Sequence, residues 1–201
     1  NEAEAAYRTS KYFPCFLPAA GLSLGPQVDG EWSVKKQTLD LYTATHELVL
    51  SERCSLETFV YHDANVMAVR LRGAAGQRFV LELTPEALPP SVEGSPSVIG
   101  EMMREEVFRG VERAWYPEYA VQVVDYADGN TVMTHMEVRG ARFEGLSRAD
   151  NSRRMLCLDR DDAVLLLAMT TAREGLFPEC RAERMIENSW QRGYKRLRVD
   201  H

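Results

Sequence analysis

The side chains best suited to acid–base chemistry are three histidines and two glutamates. They are His46, His62 and His135, together with Glu57 and Glu137. Epimerisation at the anomeric carbon of a sugar needs a general acid and a general base, commonly a histidine and a glutamate. The spacing of these five residues gives no reason for them to converge. A sugar epimerase therefore stays an alternative function, and the sequence assigns no catalytic residue.

Flat aromatic side chains offer a second kind of chemistry, the contact with a sugar ring. Trp115 and Tyr116 lie in the densest aromatic cluster of the chain, and Trp32 follows a turn-like glycine. Sugars dock on exposed aromatic faces through their C–H groups and add hydrogen bonds at their edges. These three residues are therefore the carbohydrate-contact candidates, and packing within the core or a loop is the alternative for each. A free-standing carbohydrate-binding module is accordingly a further alternative function.

The cysteines and histidines do not have the spacing of a metal site. Four cysteines and four histidines are scattered along the chain, without a C-x-x-C, H-x-H or H-E-x-x-H pattern. Zinc sites need such local pairs, because two ligands then come from one turn. We predict no metal and no cofactor. Cys54 and Cys157 lie in apolar, strand-like segments, which predicts reduced core cysteines, with a disulfide as the alternative.

Composition excludes several classes of protein. The chain has 201 residues, of which 45% are hydrophobic, enough for the core of one ordinary domain or two small ones. Its net charge is −6 and no Lys/Arg-rich block occurs, so we expect no nucleic-acid partner. The longest apolar run, Ala163–Met169, is far shorter than the roughly twenty residues that a membrane span requires. The acidic start lacks an apolar signal sequence, which favours a cytoplasmic location, and a mature secreted chain that has lost its signal sequence is the alternative.

Most of the chain alternates apolar and polar residues with a period of two, as strands do. The predicted strands are Thr38–Thr43, Glu47–Leu50, Leu56–Val60, Val66–Leu71, Phe79–Leu83, Tyr119–Val124, Thr131–Val138, Arg142–Glu144, Met155–Leu158 and Ala163–Thr171. The last of these is apolar on both faces, which predicts a central, buried strand. The strands predict a mainly-β domain, an antiparallel sandwich or barrel rather than βαβ units, with one helix at its C-terminal end.

The segments between the strands carry turn and loop signals. Gly73–Gln77 and Asp128–Gly129 are typical of hairpin connections. Pro85–Gly100 is rich in proline and predicts an exposed loop, and Arg148–Arg154 predicts a solvated loop. Glu101–Trp115 is ambiguous, because apolar residues four apart favour a helix whereas Gly110 within the segment disfavours one.

The clearest helix signal covers Pro178–Leu197. Proline suits the first helical position, and glutamates near the start and basic residues near the end complement the helix dipole. Its apolar stripe consists of Ala182, Ile186, Trp190, Tyr194 and Leu197. The strand-rich part of the chain therefore covers residues 1–177, and the helical part covers residues 178–201.

Two stretches of the chain carry a family resemblance. The first consists of Gln37–Ala44, Glu57–Val60 and Asp63–Leu71, and the second of Ala163–His201, which closes with Tyr194, Leu197 and His201. In this order they resemble the N-terminal β-sandwich of the α-L-fucosidase-type glycoside hydrolases and of disaccharide phosphorylases such as maltose phosphorylase. The second stretch resembles the linker helix that leads into the catalytic (α/α)6 barrel of those enzymes. Gln37 and Tyr61 depart from the family pattern, which has a basic residue and a serine there.

The resemblance implies a mainly-β fold, a two-sheet antiparallel super-sandwich over residues 1–177 with a C-terminal linker helix over residues 178–201. It also implies a non-catalytic N-terminal accessory domain of a carbohydrate-active enzyme, a glycoside hydrolase rather than a phosphorylase. The catalytic carboxylates of the family lie in the barrel, and no matched motif supplies them here. The implied partner is a C-terminal (α/α)6 barrel of the same polypeptide. Ile186, Trp190 and Tyr194 are then the barrel-contact candidates, and without the barrel they should be partly exposed. An exposed apolar face of this kind would also favour a homodimer.

Overall fold

The computed structural model describes residues 21–26, 34–73, 75–84, 108–126, 129–145, 151–175 and 177–200. Several sequence predictions fall outside these residues. They concern Cys15, Trp32, the Pro85–Gly100 loop, the first part of the predicted helix at residues 101–107, Asp128 and His201.

Twelve strands of the described residues form two antiparallel sheets. The strands are β1 (Gly21–Pro26), β2 (Lys36–Asp40), β3 (Thr45–Ser51), β4 (Cys54–Tyr61), β5 (Val66–Arg72), β6 (Arg78–Thr84), β7 (Phe108–Trp115), β8 (Tyr119–Tyr126), β9 (Thr131–Arg139), β10 (Ala141–Glu144), β11 (Arg153–Leu158) and β12 (Asp162–Thr171). The large sheet has eight strands in the order β2-β3-β4-β5-β12-β9-β8-β7, and the small sheet has four in the order β1-β6-β11-β10. The predicted mainly-β, two-sheet antiparallel sandwich is confirmed.

The two sheets enclose the main core between them. Strands expose alternate residues to opposite faces, so one face of each sheet can be apolar throughout. Leu165 of β12 and Leu71 of β5 meet Phe79 and Leu81 of β6 in this layer, and all four side chains are buried. Each such side chain contributes about 2 kcal/mol of burial free energy. β12 lies between β5 and β9, as its apolar sequence predicted.

The outer face of the large sheet carries a second, smaller core under two helices. Helix α1 (Pro178–Arg192) lies on β12, β9 and β5, and helix α2 (Tyr194–Asp200) lies on β4. Ala182, Ile186 and Leu197 on one helical face pack against Phe59 and Leu166 of the sheet. The middle of the large sheet is therefore covered on both faces, which explains why β12 lacks a polar side.

Several local predictions are wrong. Phe108–Trp115 is an edge strand rather than part of a helix. Residues four apart share a face in a strand as well as in a helix, so their spacing did not distinguish the two structures. Gly73–Gln77 joins β5 of the large sheet to β6 of the small sheet, so it is a corner between sheets and not a hairpin loop. The single predicted helix is two helices, because Gly193, at φ 79° and ψ 148°, ends α1.

Two other local predictions, the β8–β9 hairpin and the reduced core cysteines, are confirmed. β8 and β9 form an antiparallel hairpin, with Gly129 in the left-handed region at φ 83°. Cys54 and Cys157 are free and buried, whereas Cys180 is free and exposed. No helix in the described part of the chain is long and apolar enough to cross a membrane.

Candidate functional site

A pocket of about 180 Å³ opens at the rim of the sandwich, where β7 turns into β8. Two of the three predicted carbohydrate-contact residues, Trp115 and Tyr116, line it together. The other lining residues come from the same turn and from the small sheet, and they are Pro117, Phe143, Glu144, Gly145 and Arg154. We call this site the rim pocket.

Trp115 forms a fixed wall of the rim pocket. Its indole Nε1 donates a hydrogen bond to the carbonyl oxygen of Asn151 at 2.9 Å. The edge of its ring meets Phe143, with 5.3 Å between ring centroids and 77° between planes, a favoured aromatic geometry. The Arg154 guanidinium lies 5.3 Å from the Trp115 ring centroid. Three contacts from different directions therefore hold one half-buried indole in a single orientation.

Arg154 gives the rim pocket a permanent cation. Its Nη2 donates to the side-chain oxygen of Asn151, and the Nδ2 of Asn151 donates to the carbonyl oxygen of Arg113 at 3.0 Å. Asn151 has φ 54°, a left-handed conformation that asparagine tolerates better than most residues. Burial lowers the pKa of Arg154 from its usual value, yet a guanidinium remains charged in proteins.

Tyr116 is the most exposed aromatic residue of the rim pocket, with 47% of its surface accessible. Its ring stacks on Tyr119, with 4.3 Å between centroids and 14° between planes. Tyr119 in turn stacks on His135, with a centroid distance of 5.6 Å and 6° between planes. This row of three near-parallel rings fixes the orientation of Tyr116 before any ligand arrives.

Glu144 supplies the carboxylate among the described lining residues. Its oxygens pair with Arg142 at 2.8 Å and with Arg78 at 3.7 Å. A carboxylate in such pairs retains lone pairs for further donors. The rim pocket thus combines three aromatic side chains, a guanidinium donor and a carboxylate acceptor, which matches a ring that carries several hydroxyl groups.

The five predicted acid–base candidates are not all brought together. His135 and Glu137 meet on the outer face of β9, with 3.3 Å between Nε2 and Oε1. The other oxygen of Glu137 accepts a hydrogen bond from the indole Nε1 of Trp190 at 2.7 Å. His46 lies on β3 and His62 in the short 3-10 turn after β4, so neither joins this pair.

The barrel-contact candidates lie on the helix pair. Ile186 is fully buried against the large sheet, so the prediction of partial exposure is wrong there, because the helical stripe packs on its own sandwich. Trp190 and Tyr194 are half-buried, which confirms the prediction for them. Trp190 donates to Glu137, and the Tyr194 hydroxyl donates to Glu57. Both glutamates therefore hold the helices in place.

Sequence reasoning missed the part of the rim pocket that comes from the small sheet. Phe143 and Glu144 lie within a predicted strand, and Arg154 was assigned to a solvated loop, whereas it belongs to β11. These residues reach Trp115 only because β10 pairs with β11 beside the end of β7. The alternation along β11 could have placed Arg154 in a strand, but no local signal links it to Trp115.

Comparison with known proteins gives no assignment. The sequence matches no protein-family model, and a search of curated proteins finds no match.

Proposed function

We propose that this chain is a non-catalytic accessory domain of a carbohydrate-active enzyme and that it contacts carbohydrate at the rim pocket. The observation that carries the proposal is the convergence of Trp115 and Tyr116 with Glu144 and Arg154 at one opening. Aromatic faces suit the apolar C–H faces of a sugar ring, and charged groups suit its hydroxyl edges.

The dimensions of the rim pocket suit part of a carbohydrate rather than a whole ligand. Its volume of about 180 Å³ is below the roughly 300–1,000 Å³ of typical small-molecule sites. A site of this size holds one ring of a longer saccharide while the neighbouring rings lie outside. Tyr116, exposed and already oriented by its stack on Tyr119, is the natural surface for the next ring.

The chemistry of the rim pocket supports a binding role. Hydrolysis of a glycosidic bond generally uses two carboxyl groups, one on each side of the bond. Glu144 is the one carboxylate in the described lining, and two arginines already pair with it. We therefore assign Glu144 to ligand contact and assign catalysis to another part of the polypeptide.

The resemblance to the fucosidase-type sandwich supports a glycoside hydrolase as the parent enzyme, with its (α/α)6 barrel following α2. An antibody raised against this chain tests that assignment by immunoblot of the source cells. We expect a band several-fold larger than the 22.8 kDa of this chain. A band of 22.8 kDa would contradict the parent enzyme and leave a free-standing carbohydrate-binding module.

Binding at the rim pocket is tested by tryptophan fluorescence during titration with neutral oligosaccharides. Maltotriose, cellotriose, xylotriose and 2′-fucosyllactose are suitable probes. We expect a saturable change for at least one of them, and about tenfold weaker binding by Tyr116→Ala, because an aromatic contact and its buried area are lost. Tyr42→Ala is the matched control, since Tyr42 is 98% exposed in the turn between β2 and β3, at the opposite edge of the large sheet.

Two results would contradict carbohydrate contact at the rim pocket. One is the absence of a saturable response to the whole panel. The other is equal affinity of Tyr116→Ala and Tyr42→Ala, which would place the contact elsewhere on the chain.

A mutarotase-like epimerase is the second candidate, and the pairing of His135 with Glu137 is the observation that favours it. Faster decay of optical rotation in a fresh aldose solution, abolished by His135→Gln, would support it. No acceleration over the spontaneous rate would contradict it.

A further inference from the structure

A larger cleft lies beside the junction of α1 and α2, and the function proposed above does not use it. Its volume is about 410 Å³. Arg70 of β5, with Asp162 and Val164 of β12, forms the floor, and residues 192–196 form the wall. We call it the junction cleft.

The break in the helix creates the junction cleft. Gly193 has φ 79° and ψ 148°, which ends the regular helix and redirects the chain. A side chain at this glycine would meet no atom within 4 Å, so the space beside the break is open. Arg192, Lys195 and Arg196 follow one another around the break and line the same opening.

Two of the cations that line the junction cleft are neutralised by carboxylates. Arg70 donates to Asp162, with 2.8 Å between Nε and Oδ1. Arg196 donates to Asp200, with 2.7 Å between Nε and Oδ2. These pairs fix the floor and the outer edge of the cleft.

The other two cations have no such partner. Arg192 donates to the neutral hydroxyl of Tyr61 at 2.5 Å. Within the described residues, no carboxylate lies within ion-pair distance of Arg192 or Lys195. Both side chains are exposed. A local excess of positive charge therefore occurs on a chain whose net charge is −6.

We propose that the junction cleft binds a small organic phosphate. Arg192 and Lys195 hold the phosphate group, because a guanidinium and an ammonium together balance its roughly two negative charges. Val164 and the Tyr194 ring cover the remainder of the ligand. The volume lies in the range of about 300–1,000 Å³ that small-molecule sites occupy, and it is larger than that of the rim pocket.

Calorimetric titration of the whole chain at low ionic strength tests this proposal. Glucose 6-phosphate is the main probe, inorganic phosphate tests the anion alone, glucose tests the neutral sugar, and glucuronate tests a carboxylate. We expect saturable binding of glucose 6-phosphate, weaker binding of inorganic phosphate and none of glucose. The affinity should fall as salt is added, because both cations are exposed to screening.

Variants connect the binding to the two cations. Arg192→Gln combined with Lys195→Gln should weaken glucose 6-phosphate binding by about tenfold or more, since both charge-assisted hydrogen bonds to the phosphate group are lost. Lys36→Gln is the matched control, because Lys36 is an exposed cation on the edge strand β2, which β3 and β4 separate from the β5 floor of the junction cleft. The double variant and the control change only exposed side chains. An unchanged urea midpoint of each variant would show that its fold persists.

Several results would overturn the proposal. They are the absence of glucose 6-phosphate binding, equal affinity of the double variant and Lys36→Gln, or glucuronate binding at least as tight as glucose 6-phosphate. Tyr116→Ala should bind glucose 6-phosphate with wild-type affinity, so failure at the rim pocket and failure at the junction cleft are distinguishable. Loss of glucose 6-phosphate binding in Tyr116→Ala would overturn the separation of the two sites.

Discussion

The two faces of the eight-stranded sheet are covered in different ways. The inner face meets the small sheet in a continuous apolar core around Leu165 and Phe79. The outer face meets the helix pair in a smaller apolar core around Ile186, and the polar ends of Trp190 and Tyr194 bond to glutamates of the sheet. Apolar burial therefore stabilises the inner layer, whereas directional hydrogen bonds also position the outer one. The junction cleft lies beside the layer whose position those bonds fix.

Leu165→Ala should cause the largest loss of stability, because Leu165 is buried between the two sheets. We expect the free energy of unfolding to fall by about 3 kcal/mol or more, from lost burial and from the cavity that remains. Urea denaturation measures the loss. Met169→Ala on the same strand is the control, since Met169 is exposed and should lose well under half as much.

Ile186→Ala tests whether the helices belong to the sandwich. Ile186 is fully buried in the outer core, and we expect a loss of about 2–3 kcal/mol. Glu187→Ala is the control, since Glu187 follows Ile186 in the sequence but lies on the exposed side of α1. It should change the free energy of unfolding by about 0.5 kcal/mol or less. Equal effects of the two substitutions would mean that α1 does not pack on the sheet in solution.

Tyr194→Phe tests the hydrogen bonds of the outer layer. Removing the hydroxyl that bonds to Glu57 should cost about 1 kcal/mol at neutral pH. Burial and the Glu57 carboxylate raise the pKa of Tyr194 above its usual value of 10, so the folded chain holds this proton more tightly. The wild-type chain should therefore be more stable than Tyr194→Phe by the full amount below pH 10, and this difference in the free energy of unfolding should decline as the pH rises above 10. Urea midpoints across this range measure it, and a constant difference would contradict the contact.

Asp162→Asn should have the smallest effect. The Arg70 guanidinium lowers the pKa of Asp162 from 3.8, but the side chain of Asp162 is 47% exposed and solvent screens the pair. We expect a loss of about 0.5 kcal/mol at neutral pH. Because the pKa of Asp162 is lower in the folded chain, its pair with Arg70 stabilises the fold at pH values above 3.8. This stabilisation disappears as the pH falls through the pKa of Asp162 in the folded chain. A loss that persists under strongly acidic conditions would point to packing instead.

The strands could be predicted because alternation is a local property, and the long apolar segment around Leu165 identified the central strand. The sheet that a strand joins could not be predicted, since the corner at Gly73–Gln77 has the same turn residues as a hairpin. The apolar residues four apart in β7 fit the periodicity of a helix as well as that of a strand, so their spacing could not identify the strand. Trp115 and Tyr116 were found from their residue types, but Arg154 approaches them only through pairing of distant strands.

The most direct test of carbohydrate contact at the rim pocket is a nitrogen–proton correlation spectrum of the tryptophan indoles. The chain has three tryptophans and therefore three indole signals. Each signal is assigned with a variant in which that tryptophan is replaced by phenylalanine. Saturation with a binding oligosaccharide should shift the signal of Trp115 and leave that of Trp190, which is bonded to Glu137, in place. A shift confined to Trp32 or Trp190, with Trp115 unmoved, would contradict the site.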